Sequence, residues 1–368
     1  MYQLRKWIKI LTIETCYLFV ELARVFFKKR RVDFSTPNLK VGILFLKPLG
    51  FGDLIMLSPV IQSLAKIFQN SNVYLITQIP QIIKFENIKW VVEKEIKNQR
   101  FDLIISPTLN LHHLLYIFKT KFWLGYFGKS KIQSNFSEES PLYDPRFNHY
   151  ILRGVEVLKI LDKERGSKLE NQIKEKEVIY PDLILEEPEV FKNLKDTPYL
   201  VIAPFSKWEE RQWPFSYFSR VINTLLKESI VKKVVILGGK SDWEEKYLKE
   251  FLRYFEEKSI LNLVGKLSLP ESGFLIKNSF IYLGLDSGPS HFAYFLAKKP
   301  IVIFISVNPL NRFPLVKNIL DNIIYFHPEN CPNFPCYSGV FRSDFRKCQK
   351  CALGIKPEKI LEKIRLNI

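Results

Sequence analysis

The sequence predicts an α/β protein of two Rossmann-like halves facing across a cleft, preceded by an N-terminal amphipathic helix. Three observations predict it. Short, apolar, β-prone runs alternate with stretches of helical spacing, first over 40–162 and again over 199–305. Glycine-containing turns follow several of these runs, as expected where a buried parallel strand feeds a helix. The length of 368 residues exceeds what one hydrophobic core usually serves, so two domains are the natural division.

Composition supports a folded chain and narrows its partners. Hydrophobic residues make up 47%, with 30 Phe and 16 Tyr, which excludes a mainly disordered protein. The formal net charge of +17 calls for anionic partners: phosphate-bearing substrates, acidic lipid or nucleic acid. Part of that charge is local, since residues 1–31 hold eight Lys or Arg against Glu14 and Glu21.

Within the same stretch, 7–27 is apolar, yet Lys9, Glu14, Glu21 and Arg24 interrupt it. Each charge would cost roughly 2.5 to 3.5 kcal/mol at a bilayer centre, so a spanning helix is disfavoured. An interfacial helix flanked by basic clusters fits the pattern, and a helix packed on the protein's own body is the alternative. No small-residue cleavage site follows, which leaves the cytoplasm as the expected location.

In the first half the spacing predicts strands over 40–46, 73–76, 90–92 and 102–106, and helices over 55–68, 111–119 and 153–162. A charged stretch over 185–197, which carries Pro188 and is followed by Pro198, marks the linker. The domains expected are therefore 1–35, the basic helix; 36–187, a first Rossmann-like domain; and 188–368, a second Rossmann-like domain with a cysteine cluster. In the second half, strands are expected over 199–203, 233–237, 280–283 and 300–305. Helices are expected over 216–227, 242–255, 290–297 and 357–366. Sheets of this kind take ligands beyond the carboxyl ends of their strands.

Four loops at such ends carry groups suited to chemistry. In Lys47-Pro48-Leu49-Gly50-Phe51-Gly52-Asp53, the glycines permit close backbone approach, and Asp53 opens the helix as either a cap or a functional acid. In Asp286-Ser287-Gly288-Pro289-Ser290-His291, small side chains and free amides at a helix N-terminus form a phosphate seat. There His291 is a donor, and Asp286 orients the loop or accepts from a sugar hydroxyl. An ordinary capped turn with a buried His is the competing reading. Ser206, Lys207 and Arg211 lie on a third loop, where two cations could neutralise a leaving diphosphate or simply be solvated. The fourth, Leu237-Gly238-Gly239-Lys240-Ser241-Asp242-Trp243-Glu244, offers acids to a ribose.

In this order and spacing the loops resemble glycosyltransferase family 9, the heptosyltransferases of lipopolysaccharide core assembly, over residues 40–365. The resemblance rests on Gly-Asp-x4-Ser-Pro at 52–59, Arg211-x-Trp213-Pro214, and the Asp286 to His291 hexapeptide. It implies a GT-B fold and a metal-independent, inverting transfer of a sugar, heptose from ADP-heptose, to a lipopolysaccharide-core or related glycolipid. Residue by residue, Asp53 matches the family's general base, with Lys47 and Gly52 beside the acceptor. Arg211 stands where the family commonly has Lys at the donor phosphates, and is catalytic with Asp53. Ser206, Ser287, Gly288 and His291 match the diphosphate site, and Glu244 is the match for the ribose acid. The partners implied are a nucleotide-diphosphate sugar, a phosphorylated glycolipid and the inner face of the cytoplasmic membrane.

Two further classes compete: a transferase of the same fold with another donor or acceptor, and a non-catalytic anion- or nucleic-acid-binding module. No helix-turn-helix or RNA-recognition signature supports the last, so nucleic acid is not expected as a partner. Catalysis is expected to need no cofactor. Cys331, Cys336, Cys348 and Cys351, spaced C-x4-C-x11-C-x2-C, could hold a structural zinc, remain thiols, or pair as disulfides.

Overall fold

The computed structural model describes residues 36–46, 49–96, 98–106, 120–127, 131–134, 149, 151–207, 211–255, 259–331, 334–336 and 349–367. The N-terminal helix expected over 1–35, the helix expected over 111–119, Lys47 and Cys348 lie outside them. The chain divides into two compact units, Met1–Asp182 and Leu183–Ile368.

Among the described residues the first unit is built on six strands: β1 (Lys40–Phe45), β2 (Asn72–Thr77), β3 (Ile88–Val92), β4 (Phe101–Ser106), β5 (Thr120–Phe127) and β6 (Lys131–Ser134). They lie in the order β3-β2-β1-β4-β5-β6, all parallel except the β5–β6 pair. From β1 the chain builds outward to β3, then returns to the other side of β1 with β4. That reversal between β1 and β4 is the topological switch point, where an open parallel sheet leaves a crevice at its carboxyl edge.

Strand β1 is buried along Val41 to Phe45, which accounts for its continuous apolar reading. Leu44, Ile76, Phe101, Ile104 and Trp123 form a cluster on this sheet. Helix α1 (Phe51–Ile67) leaves the switch point and carries Pro59 in its interior. Proline removes the amide that would bond the Ile55 carbonyl, and the Ser58 hydroxyl donates to that carbonyl instead at 2.8 Å. The Ser-Pro pair therefore repairs its own break. Helices α2 (Leu152–Leu161) and α3 (Lys163–Glu175) follow, and α2 packs on α1 through Gly154. A Cβ at Gly154 would stand 2.5 Å from both Val60 methyl groups, so only glycine permits this approach.

The second unit repeats the plan. Its strands are β7 (Tyr199–Ala203), β8 (Lys233–Ile236), β9 (Ile260–Asn262), β10 (Ile281–Leu285), β11 (Pro300–Ile303) and β12 (Ile324–Phe326), in the wholly parallel order β12-β11-β10-β7-β8-β9. The switch point falls between β7 and β10, both buried at every residue. The helices are α4 (Phe215–Lys227), α5 (Asp242–Leu252), α6 (Leu269–Asn278), α7 (Gly288–Leu296), α8 (Lys317–Leu320), α9 (Gln349–Gly354) and α10 (Pro357–Arg365). Trp213, Phe218, Phe251, Val234 and Ile360 meet in one core, and α10 packs against α4.

The differences from the sequence-based expectation have local causes. Helix α1 starts at Phe51 rather than 55, because its first turn is set by a cap and not by apolar spacing. Strands β9 and β12 have three residues each, too few to display a period. Helix α6 announces itself by Ser268 and Glu271, which form a reciprocal capping box around Pro270.

Candidate active-site loops

Each unit presents its candidate groups at its own switch point. In the first, Gly50 is the extended N-cap of α1, and Asp53 is the third residue of the helix. The Asp53 Oδ2 accepts from the Gly50 amide at 2.8 Å. That bond satisfies one of the orphan amides of the helix start and fixes the carboxylate at its positive end. Asp53 is half-buried and Gly52 is buried. The cap is thus Gly50 rather than Asp53, and the acid instead braces the helix start from its third position, with its carboxylate oriented at the mouth of the switch point.

In the second unit the loops after β7 and β10 meet. Arg211 and Asp286 form an ion pair, Nη1 to Oδ2, at 3.8 Å, with side chains only 14% and 10% exposed. The distance is too long for a hydrogen bond, so the contact is a pairing of charges in a partly desolvated place. Lys207 is exposed on the Arg211 loop and Ser206 is buried.

The arrangement of that loop depends on a residue the motif left unspecified. Gln212 accepts from the Ser206 amide at 3.0 Å and donates to the carbonyls of Pro204, at 2.5 Å, and Trp213, at 3.1 Å. One side-chain amide thus ties both arms of the loop together. Trp213, fully buried, donates through Nε1 to the Ile355 carbonyl at 3.0 Å. Sequence reasoning missed Gln212; its position between an invoked cation and a Trp-Pro pair is the only signal it gives.

Beyond β10, the Asp286 amide donates to the Ile303 carbonyl at 3.1 Å, which knits this loop to the end of β11. Ser287 is the extended N-cap of α7, but its side chain makes no capping bond. Its Oγ is buried without a hydrogen-bond partner among the described residues. A buried hydroxyl left this way at a helix N-terminus, next to Gly288 and its amide, is suited to an oxyanion. Ser290 is turned the other way: its hydroxyl donates to the Leu285 carbonyl at 2.6 Å and meets the Tyr282 hydroxyl at 3.0 Å. His291 is 6% exposed, its ring 5.4 Å from that of Tyr294 in an edge-on contact.

Glu244 stands apart from this group. It lies in the first turn of α5, just past the loop after β8, and accepts from the Gly239 amide at 2.6 Å and from the Ser241 hydroxyl. Both oxygens are engaged by its own loop. A Cβ at Gly239 would come within 2.8 Å of Glu244 Oε2, so the glycine is what admits the carboxylate.

Among the cysteines, the Cys331 and Cys351 sulfurs are 3.0 Å apart, and Cys336 is half-buried nearby in sequence. Among the described residues, no group of three or more His, Cys, Asp or Glu side chains is arranged to hold a metal ion. No helix among them is long and apolar enough to cross a membrane.

The model of the family described as glycosyltransferase family 9 (heptosyltransferase) matches residues 90–335. The chain belongs to glycosyltransferase family 9. Relatives within and around the family agree. The chain is 31% identical over 122 residues to lipopolysaccharide heptosyltransferase 3 of Escherichia coli K12, a match spanning 33% of this chain and 35% of that relative. It is 22% identical over 330 residues to lipooligosaccharide heptosyltransferase 2 of Campylobacter jejuni, covering 86% of this chain and 96% of that one. The solved E. coli ADP-heptose lipopolysaccharide heptosyltransferase II superposes with a TM-score of 0.62 at 14% identity, over 89% of this chain and 98% of that chain. At that identity the likeness speaks for the fold, and the fold is the mixed α/β, parallel-sheet architecture the sequence predicted. The family 9 resemblance carried by the loops is likewise upheld.

Proposed function

We propose that this family 9 protein transfers a sugar, heptose from ADP-heptose, to a lipopolysaccharide-core or related glycolipid acceptor by a single inverting displacement. The observation that carries the reading is the Arg211–Asp286 pair at the second switch point, beside the unpartnered Ser287 hydroxyl and the N-terminus of α7. The acceptor oxygen attacks the anomeric carbon, the bond from that carbon to the diphosphate breaks, and the acceptor proton passes to the Asp53 carboxylate. Arg211, Lys207 and the amides at the start of α7 take the charge that develops on the diphosphate, so the reaction proceeds without a divalent metal. Arg211 does this as a fixed cation and forked donor, and it cannot serve as a proton source. Asp53, held by the Gly50 amide, contributes about 10² to 10⁴ in rate as general base. Lys47 assists at the acceptor side, and Glu244 shapes the loop that receives the ribose.

Residues 1–31, rich in Lys and Arg, hold the enzyme to the inner face of the cytoplasmic membrane, where a phosphorylated glycolipid acceptor is presented. Cys331 and Cys351, with Cys348, are the residues of the cysteine cluster that could share a structural zinc. The close approach of two of these sulfurs supports this. Metal analysis of purified protein checks the zinc, and one equivalent is expected.

The deciding test of the activity is a panel of nucleotide sugars with nucleoside diphosphate release as readout, with and without chelator. ADP-heptose is expected to turn over in both. Release from another nucleotide sugar alone would replace the donor. Salt-sensitive DNA binding with no release from any would replace the enzyme reading.

A further inference from the structure

The loop between β7 and α4 carries Ser206 on one arm and Arg211 on the other, and its backbone is poorly equipped to hold them in register. Pro204 and Pro214 stand at its two ends with no amide to give. Among the described residues, no backbone hydrogen bond joins 204–206 to 211–213. The feet of the loop are anchored by packing instead. The Phe205 ring meets Phe215 and Phe251 edge-on at 6.2 and 5.9 Å, and Trp213 meets Phe218 in the same way at 4.7 Å. Anchored feet do not by themselves fix the span between them.

Gln212 supplies the pairing that the backbone lacks. Its side chain offers the same donor and acceptor as a peptide group. Oε1 accepts from the Ser206 amide, and Nε2 donates to the carbonyls of Pro204 and Trp213. Three of the four hydrogen bonds open to such an amide are thereby made inside the loop. Glu in its place would keep the acceptor and lose both donors when ionised, and Asn would be one methylene too short. The residue so fixed is the immediate neighbour of Arg211, whose guanidinium reaches Asp286 on the loop after β10 at 3.8 Å.

We infer that Gln212 is a positioning residue for the donor diphosphate: by tying the two arms together it sets the place of Arg211 before the donor arrives. This role rests on the donor reading above and adds to it a residue that need not touch the donor. A cation whose place is fixed in advance spends less binding energy on ordering itself, and its charge is aimed where the diphosphate charge develops. With the arms untied, the guanidinium would still be present and still pair with anions, but over a spread of positions.

Wild type, Gln212→Ala and the isosteric Gln212→Glu are to be titrated calorimetrically with ADP, and Gln212→Ala also in an Arg211→Ala background. Gln212→Ala is expected to weaken ADP binding about tenfold, and the same change to cost less than about twofold once Arg211 is Ala. In Gln212→Glu an ionised carboxylate would face the carbonyls of Pro204 and Trp213, which raises its pKa, whereas the protonated acid regains one donor. Its deficit relative to wild type should therefore shrink as the pH is lowered from about 8 to about 5.5. Wild-type affinity in both variants would overturn the positioning role and leave the donor reading standing. An equal loss in both backgrounds would show that Gln212 does not act through Arg211, and a deficit of Gln212→Glu that ignores pH would show that its hydrogen bonds are not what matters; either overturns the role. Should Gln212→Ala fail to fold, the pH series of Gln212→Glu decides. If the wild type does not bind ADP at all, the donor reading itself fails and this role goes with it.

Discussion

The two switch points solve the same problem by different means. The sheets share one strand order, and each sets an acidic residue just past a central strand, Asp53 after β1 and Asp286 after β10. Asp53 is oriented from within its own loop, by the Gly50 amide. Asp286 is oriented across loops, by a guanidinium that arrives on the connection after β7. The first arrangement keeps an acid in place at the positive end of a helix dipole. The second makes two loops interdependent, so that a cation and a carboxylate are delivered as one unit. A base suits the former and a charged donor seat the latter.

The largest expected effect breaks the first half of that comparison. Asp53→Asn keeps an oxygen able to accept from Gly50 but removes the basicity, so turnover should fall by about 10² to 10⁴ with little change in melting temperature. Wild-type turnover in this variant would leave Asp53 as a brace of the helix start and nothing more. At the second switch point, Arg211→Ala should weaken ADP binding by roughly 10- to 100-fold, and Arg211→Lys should recover part of it. Interdependence predicts a non-additive double-mutant cycle: with Asp286→Ala already present, the Arg211→Ala change should cost measurably less or more than it does alone. Strict additivity would show that the pair is incidental.

Smaller effects probe the scaffold beneath each site. Gly154→Ala should destabilise the first unit by about 1 to 3 kcal/mol, since its Cβ meets Val60 on the helix that carries Asp53. Denaturant unfolding measures it, and a neutral result would mean the two helices can part freely. Ser268→Ala, at the cap of α6, should cost about 1 kcal/mol in the second unit without touching donor affinity.

The parts of this architecture that could be read in the sequence are those whose physics is local. Buried central strands such as β7 and β10 read as continuous apolar runs, and the glycine and proline at the head of α7 mark its start. Strand order follows from the alternation only by analogy with the fold class, because pairing is non-local. Trp90 and its neighbours were readable as a strand, whereas the longer β5 was not. Its aromatic residues follow no clean period, and Gly125 lies in its middle. At the candidate site, Asp53, Arg211 and Asp286 stood out through motif spacing. Gln212 did not, because what sets it apart is whether its hydrogen bonds are made, and residue type carries no trace of that.

The indole of Trp213 extends the reach of the second site well beyond its loops. It is rooted two residues after Arg211, and its only polar atom is spent on the carbonyl of Ile355, 142 positions later in the chain. Ile355 leads directly into α10, which lies on α4, the helix that begins where the Trp213 loop ends. Loop, indole and closing helix therefore make a mechanical circuit. Shortening the chain before residue 355 would open that circuit, and the slack would be taken up at the guanidinium.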